Sequence, residues 1–227
     1  MIALLDASRR IGIGAQARDI LAPASLVFAP AEKVGILAPR GAGKSILARM
    51  LAGIDPPDGG AVLHEGRISW PVGFAGALHP DLSIAENLRL IARILGEDPQ
   101  EMIAFCTRIA GLEDVADAAL KTLSPAGRAA LAFCVSMSVA CDSYIADDTT
   151  GFGTGAQRDL SEAVFEKRLS GAGLILLSSN PRTITRFCDH VLVLLEARLV
   201  ACPDAQTAAD ALDAIAQRNA ATQRMTP

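Results

Sequence analysis

Apolar residues in this chain fall into short runs separated by longer amphipathic stretches. Runs at 2–5, 25–29, 34–37, 144–146, 174–177, 191–195 and 199–201 are brief and bounded by turn residues, which predicts strands. Helical patterns at 44–53, 155–169 and 181–188 lie between or beside them. This alternation predicts an α/β fold, a parallel sheet with helices on both faces.

Between Ser83 and about Ala140 the rhythm is purely helical. Ser83-Ile84-Ala85-Glu86 is a capping box that opens a helix to about Leu95, with Gly96 placed as its C′ residue. Pro99 suits the first turn of a second helix reaching about Ala110, and Ser124-Pro125 is an N-cap and N1 pair for a third, apolar one. The expected organisation is one domain. Its core spans about 1–75 and 141–203, a helical subdomain is inserted over about 76–140, and a C-terminal helix covers about 204–222. The last residues, Gln-Arg-Met-Thr-Pro, are expected to fray.

Composition narrows the partners. The 227 residues suffice for a large buried core, and 51% apolar with 20% charged residues is ordinary globular composition. A net charge of -4 with no Lys/Arg run argues against a nucleic-acid surface. The longest apolar runs fall far short of the roughly 20 residues a spanning helix needs, so a membrane link would run through a partner. The five cysteines form no CxxC pair and read as reduced thiols, and the three histidines lack metal-ligand spacing.

The chemistry concentrates after the third run. Ala38-Pro39-Arg40-Gly41-Ala42-Gly43-Lys44-Ser45 stands between a strand and a helix and fits G-x-x-x-x-G-K-[ST] except at Ala38. Backbone N–H groups from Arg40 to Ile46, aided by the helix dipole, would cradle the phosphates of ATP. Lys44 would reach the β- and γ-phosphates, and the Ser45 hydroxyl would ligate Mg²⁺. A second acidic site follows where the run Ser143-Tyr144-Ile145-Ala146 ends in Asp147-Asp148. Asp147 would hold the metal through water, and Asp148 would stand where an attacking water is polarised.

In this order the pieces resemble ABC-type ATPases, specifically the subunits that power export of capsular polysaccharide, teichoic acid and O-antigen. The likeness covers roughly 1–200. It rests on Gly41-Ala42-Gly43-Lys44-Ser45, on Leu51-Ala52-Gly53-Ile54-Asp55-Pro56-Pro57-Asp58-Gly59-Gly60, and above all on Ile68-Ser69-Trp70-Pro71-Val72-Gly73. Ala85-Glu86-Asn87-Leu88 and Phe187-Cys188-Asp189 extend it. The resemblance implies a P-loop NTPase core of RecA-like type with an inserted helical subdomain. It also implies a head-to-tail dimer, with itself or a homologous ATP-binding subunit, around two ATPs. A membrane-embedded permease would dock on that dimer, placing the chain in the cytoplasm on the inner face of the bacterial inner membrane. Phe74, Leu78, Leu82 and Leu88 are candidates to line the permease groove, or else to pack the subdomain. Glycan specificity would lie in the permease or an added carbohydrate-binding domain, which a chain ending at 227 is expected to lack.

Departures from the family pattern qualify the activity. The signature loop reads Leu123-Ser124-Pro125-Ala126-Gly127. Ser124 keeps a hydroxyl for the partner's nucleotide, while Pro125 removes a backbone donor. The family's catalytic Glu is Asp148, its switch His falls at Ser179, its D-loop aspartate falls at Thr154, and its adenine-stacking aromatic falls at Ile11. No Gln lies between Ile68 and Ser83. The expectation is nucleotide binding that outlasts efficient hydrolysis, in a transport ATPase or in a non-hydrolytic regulatory subunit paired with a competent one. A small P-loop kinase would need an Arg-rich lid, and 76–120 offers only Arg89, Arg93 and Arg108.

Overall fold

A computed structural model describes residues 1–224, with the backbone alone at Ala15 and over 215–224. Two compact units result: one takes in 1–68, 142–148 and 172 onward, the other 69–141 and 149–171.

In the first unit, β1 (Ile2–Ile11) pairs antiparallel with both β2 (Arg18–Phe28) and β4 (Gly59–His64). A second sheet is formed by β3 (Lys33–Leu37), β6 (Ser143–Asp147), β7 (Gly173–Ser178), β8 (His190–Leu195) and β9 (Arg198–Cys202), in the order β6-β7-β3-β8-β9. The first four strands of that order are parallel, and β9 returns antiparallel. Helix α1 (Lys44–Leu51) contributes Leu47, Ala48, Met50 and Leu51 to one apolar core with Ile2 and Leu4 of β1, Ile20 of β2 and Ile36 of β3. Ile36, Leu47 and Leu177 are wholly buried, worth about 1.5–3 kcal/mol each by transfer.

Alternation along β3 fixes what covers its other face. Val34 and Ile36 point into that core, so Gly35 points away, and a Cβ there would collide with Ile184 of α6 (Pro181–Phe187). Helix α6 therefore lies directly on the strand backbone. The last helix, α7 (Ala205–Arg224), packs beside α6. It runs slightly past the expected 222; of the tail expected to fray, Met225, Thr226 and Pro227 lie outside the described residues.

In the second unit, β5 (Ile68–Pro71) leads into four helices: α2 (Ile84–Leu95), α3 (Pro99–Ala110), α4 (Pro125–Ser138) and α5 (Ala156–Arg168). Their ends are written locally. Ser83 and Glu86 close a reciprocal capping box, Gly96 and Gly111 end α2 and α3 in the left-handed conformation, and Asp98 caps α3. Buried Asn87 is fully engaged, accepting from His79 N and donating to the carbonyls of His79, Leu82 and Ser83. Ser136 of α4 ties in β5 and the turn after it, accepting from Trp70 Nε1 at 2.9 Å and from Gly73 N at 3.1 Å.

The grouping of 149–171 differs from the expected division, which left it with the core. Phe165 of α5 meets Phe133 of α4 at a centroid distance of 6.4 Å, and Phe152 meets the same ring edge-on at 5.4 Å. Arg168 donates to the carbonyls of Met137 and Ser138, capping the end of α4. These contacts bind α5 to the helical unit, although its own pattern reads like that of any helix covering a sheet. Among the described residues no helix is long and apolar enough to cross a membrane.

Candidate functional site

The turn from β3 to α1 builds an anion cradle. Ala38 is completely buried, its N–H donates to Ser178 O at 2.9 Å, and its φ is not positive, so a methyl replaces the usual glycine hydrogen without strain. Gly41 and Gly43 have φ of 81° and 94°. At Gly43 a Cβ would lie 2.5 Å from Ile20 Cδ1 of β2, so glycine is required twice over. The N–H groups of Ile46 and Leu47 already bond Gly43 O, which starts α1 directly behind the loop.

Two acids from the end of β6 face this cradle. The Ser45 hydroxyl donates to Asp147 Oδ2, and Lys44, only 9% exposed, holds Nζ 3.5 Å from Asp148 Oδ2. Asp148 has φ 53°, a left-handed conformation that costs a non-glycine residue energy, and its N–H donates to Leu177 O. Its Oδ1 accepts from Ser178 Oγ at 2.6 Å and from Ser179 N at 3.1 Å. Ser178 in turn accepts from Asn180 N, and Asn180 caps α6. Asp148 is thus gripped by the β7–α6 turn on one oxygen and by Lys44 on the other. These groups surround a cavity of about 390 Å³ lined by Arg18, Arg40, Gly41, Lys44, Ser45 and Asp148 among others.

The arrangement fits a divalent cation of the hard type. A hydroxyl and a carboxylate oxygen converge, and the remaining positions are open to phosphate oxygens and water, as Mg²⁺ favours. Among the described residues no group of three or more His, Cys, Asp or Glu side chains converges to hold a metal.

The structure brings Arg40, Gly41, Ala42, Gly43, Lys44, Ser45 and Ile46 together with Asp147, Asp148 and Ser179 in the first unit. Ser179 reaches Asp148 through its backbone N–H. Ser124 belongs to the second unit, where its side chain accepts from Gly127 N as the N-cap of α4. Arg128 folds back onto Leu123 O at 2.6 Å. Leu88, a candidate for the permease groove, is completely buried and packs the helical unit instead, while Phe74, Leu78 and Leu82 remain half-buried.

Two participants were not expected from the sequence. Ser178 carries the hydrogen bond that orients Asp148, and a lone serine at a strand end gives no signal for that. Arg18, opposite Ile11 in the β1–β2 register, donates from NH1 to Gly41 O at 2.8 Å. The apolar run that predicted this strand starts seven residues later, at Ser25, which left Arg18 in a loop.

Comparisons with known proteins bear on the family and the fold. The family model described as ABC transporter matches residues 21–151. The chain is 36% identical to the ATP-binding protein BexA of Haemophilus influenzae over 164 residues, 72% of this chain and 75% of that one. It is 33% identical to the capsule polysaccharide export ATP-binding protein CtrD of Neisseria meningitidis serogroup B, over 86% of this chain and 90% of CtrD. Among solved structures, the ATP-binding cassette MJ0796, a dimer bound to ADP and Pi, superposes with a TM-score of 0.74 at 19% identity. That match covers 88% of this chain and 96% of MJ0796.

Proposed function

The chain belongs to the ABC transporter family, and on that premise we propose that it is the MgATP-binding subunit of a polysaccharide exporter that turns ATP over slowly. The observation that carries the reading is the Lys44–Ser45–Asp147–Asp148 constellation at the mouth of the phosphate loop. The loop from Arg40 to Ile46 would cradle the triphosphate, Lys44 would neutralise its β,γ end, and Ser45 with Asp147 would hold Mg²⁺. Bound Mg²⁺ supplies charge neutralisation on the phosphoryl oxygens. Hydrolysis joins a water oxygen to the γ-phosphorus, breaks its bond to the β,γ-bridging oxygen and releases ADP. Asp148 would accept the water's proton.

Slow turnover follows from the same residues. Asp148 is one methylene shorter than a glutamate, and one of its oxygens is committed to Ser178 and Ser179. A nucleophile misplaced by about 1 Å loses on the order of a hundredfold in rate. Ser179 also lacks the reach of an imidazole toward a γ-phosphate. Ser124 of a second copy or of a homologous subunit completes the site in a dimer, a reading supported by the dimeric MJ0796 cassette. The transported class is drawn from the names of relatives such as CtrD, and the partner is a membrane-embedded permease that holds the chain peripherally at the inner face of the inner membrane.

Deleting the gene in its own organism tests the export reading. Surface polysaccharide should disappear, return with the unaltered chain, and stay absent with Lys44→Ala. Surface polysaccharide unaffected by the deletion would contradict it.

A further inference from the structure

Arg18 lines the phosphate cavity together with the phosphate loop and the two acids at the end of β6. Asp147 and Asp148 line the cavity with Lys44 and Ser45, so the metal-bearing terminal phosphates of a triphosphate belong beside them and its nucleoside must run along the rest of the lining. Of the residues that line it, only Arg18 lies outside the phosphate loop and these two acids. Strand β2 is held against the loop at two points: Ile20 packs on Gly43, and Arg18 NH1 donates to Gly41 O at 2.8 Å. That bond uses one edge of the guanidinium of an exposed residue, and an in-plane hydrogen bond does not itself occupy the planar faces.

No aromatic ring of this unit is available for the role. Phe28, Tyr144 and Phe187 are all at most 8% exposed, and none lines the cavity. The hairpin that ends beside Arg18 offers Ile11, its register partner, and Ile13, 92% exposed at the tip. The neighbouring charge does not compete, because Asp19 is paired with Arg10 at 3.5 Å.

We propose that Arg18 is the nucleobase platform of this site, its guanidinium plane stacking on the purine in place of an aromatic ring. The inference rests on the nucleotide-binding reading above. A guanidinium is planar, weakly hydrated and stacks on bases, and the Gly41 tether pre-orders it. Ile11 supplies the apolar flank on the same side of the hairpin.

Equilibrium titration of the purified chain with MgATP and with Mg-tripolyphosphate tests this, using Arg18→Ala, Arg18→Lys and Arg18→Trp. Tripolyphosphate shares the phosphates and lacks the base, and its binding also shows that each variant is folded. Arg18→Ala should weaken ATP about tenfold, within the range of one lost base stack, and leave tripolyphosphate within about twofold. Arg18→Trp should restore ATP affinity, and Arg18→Lys, which keeps charge and can reach Gly41 O, should not. The inference is overturned if Lys substitutes fully, or if tripolyphosphate weakens as much as ATP, since Arg18 would then be a brace or a phosphate contact. Unaltered protein that binds ATP no better than Lys44→Ala would overturn the nucleotide reading itself, and this inference with it.

Discussion

Asp148 accepts a hydrogen bond from the Ser178 hydroxyl at 2.6 Å, and this links the acidic end of β6 to the turn that follows β7. The bond, with the Ser179 N–H and the Lys44 ammonium, holds a residue whose φ of 53° would otherwise be costly. On the proposed mechanism Ser178 is therefore a positioning residue for Asp148. Ser178→Ala should lower kcat roughly tenfold, the scale of one hydrogen bond to a charged group, and leave KM within about twofold. Ser178→Thr should retain the rate. Equal loss in both variants, or a change confined to KM, would show that Asp148 does not depend on this hydroxyl.

Gly43→Ala tests the cradle itself. The new Cβ meets Ile20 Cδ1 at 2.5 Å and must also adopt a φ of 94°. ATP affinity should fall at least tenfold, given strain of about 1–3 kcal/mol before any clash. Adding Ile20→Ala removes the clash and keeps the strain, so it should rescue only part of the loss. Full rescue in calorimetric titration would mean that backbone conformation matters little here.

The helical unit turns on one ring. Phe133 is completely buried and touches both Phe152 and Phe165. Phe133→Ala should destabilise the chain by about 3–5 kcal/mol in urea unfolding, and Phe133→Leu by much less. If the alanine variant lost under about 1 kcal/mol, Phe133 would not anchor 149–171 to α4.

Buried thiols give the fold an alkaline limit. Burial pushes the Cys106 and Cys188 thiols up to about 12, and raises Cys134 further. In the unfolded chain these groups lose their protons near pH 8.5, while the folded chain keeps them. The unfolded state then binds fewer protons, so stability is complete below about pH 8.5 and declines as pH rises toward 12. Urea midpoints at pH 7.5 and 10 should show that decline, and a Cys106→Ala, Cys134→Ala variant should show less of it.

How much of this was legible in the sequence depended on whether the determining contacts are local. The phosphate loop is backbone chemistry written in consecutive residues, so Gly41, Gly43, Lys44 and Ser45 declared it, as Ser83 with Glu86 declared the start of α2. Strand β4 was missed because Gly59 and Gly60 open it with poor strand formers, and its place is set by pairing with β1. Arg18 and Asp19 are polar and begin β2 with no apolar run, so only the fold places Arg18 beside Gly41. The attachment of α5 to α4 is likewise tertiary, since it depends on where Phe165 finds Phe133. Ser178 and Asp148 are 30 residues apart and meet because β6 and β7 are parallel neighbours.

We propose that the chain binds MgATP in a sound cradle but hydrolyses it slowly because of what stands at Asp148 and Ser179. Steady-state phosphate release at saturating MgATP tests it, comparing unaltered protein, Lys44→Ala, and the Asp148→Glu, Ser179→His double variant. Unaltered protein should release phosphate measurably faster than Lys44→Ala yet far below the rate of an ordinary enzyme, and the double variant should be at least tenfold faster than the unaltered chain. A double variant no faster than the unaltered chain, or an unaltered chain already turning over near the roughly 10 s⁻¹ of an ordinary enzyme, would contradict it.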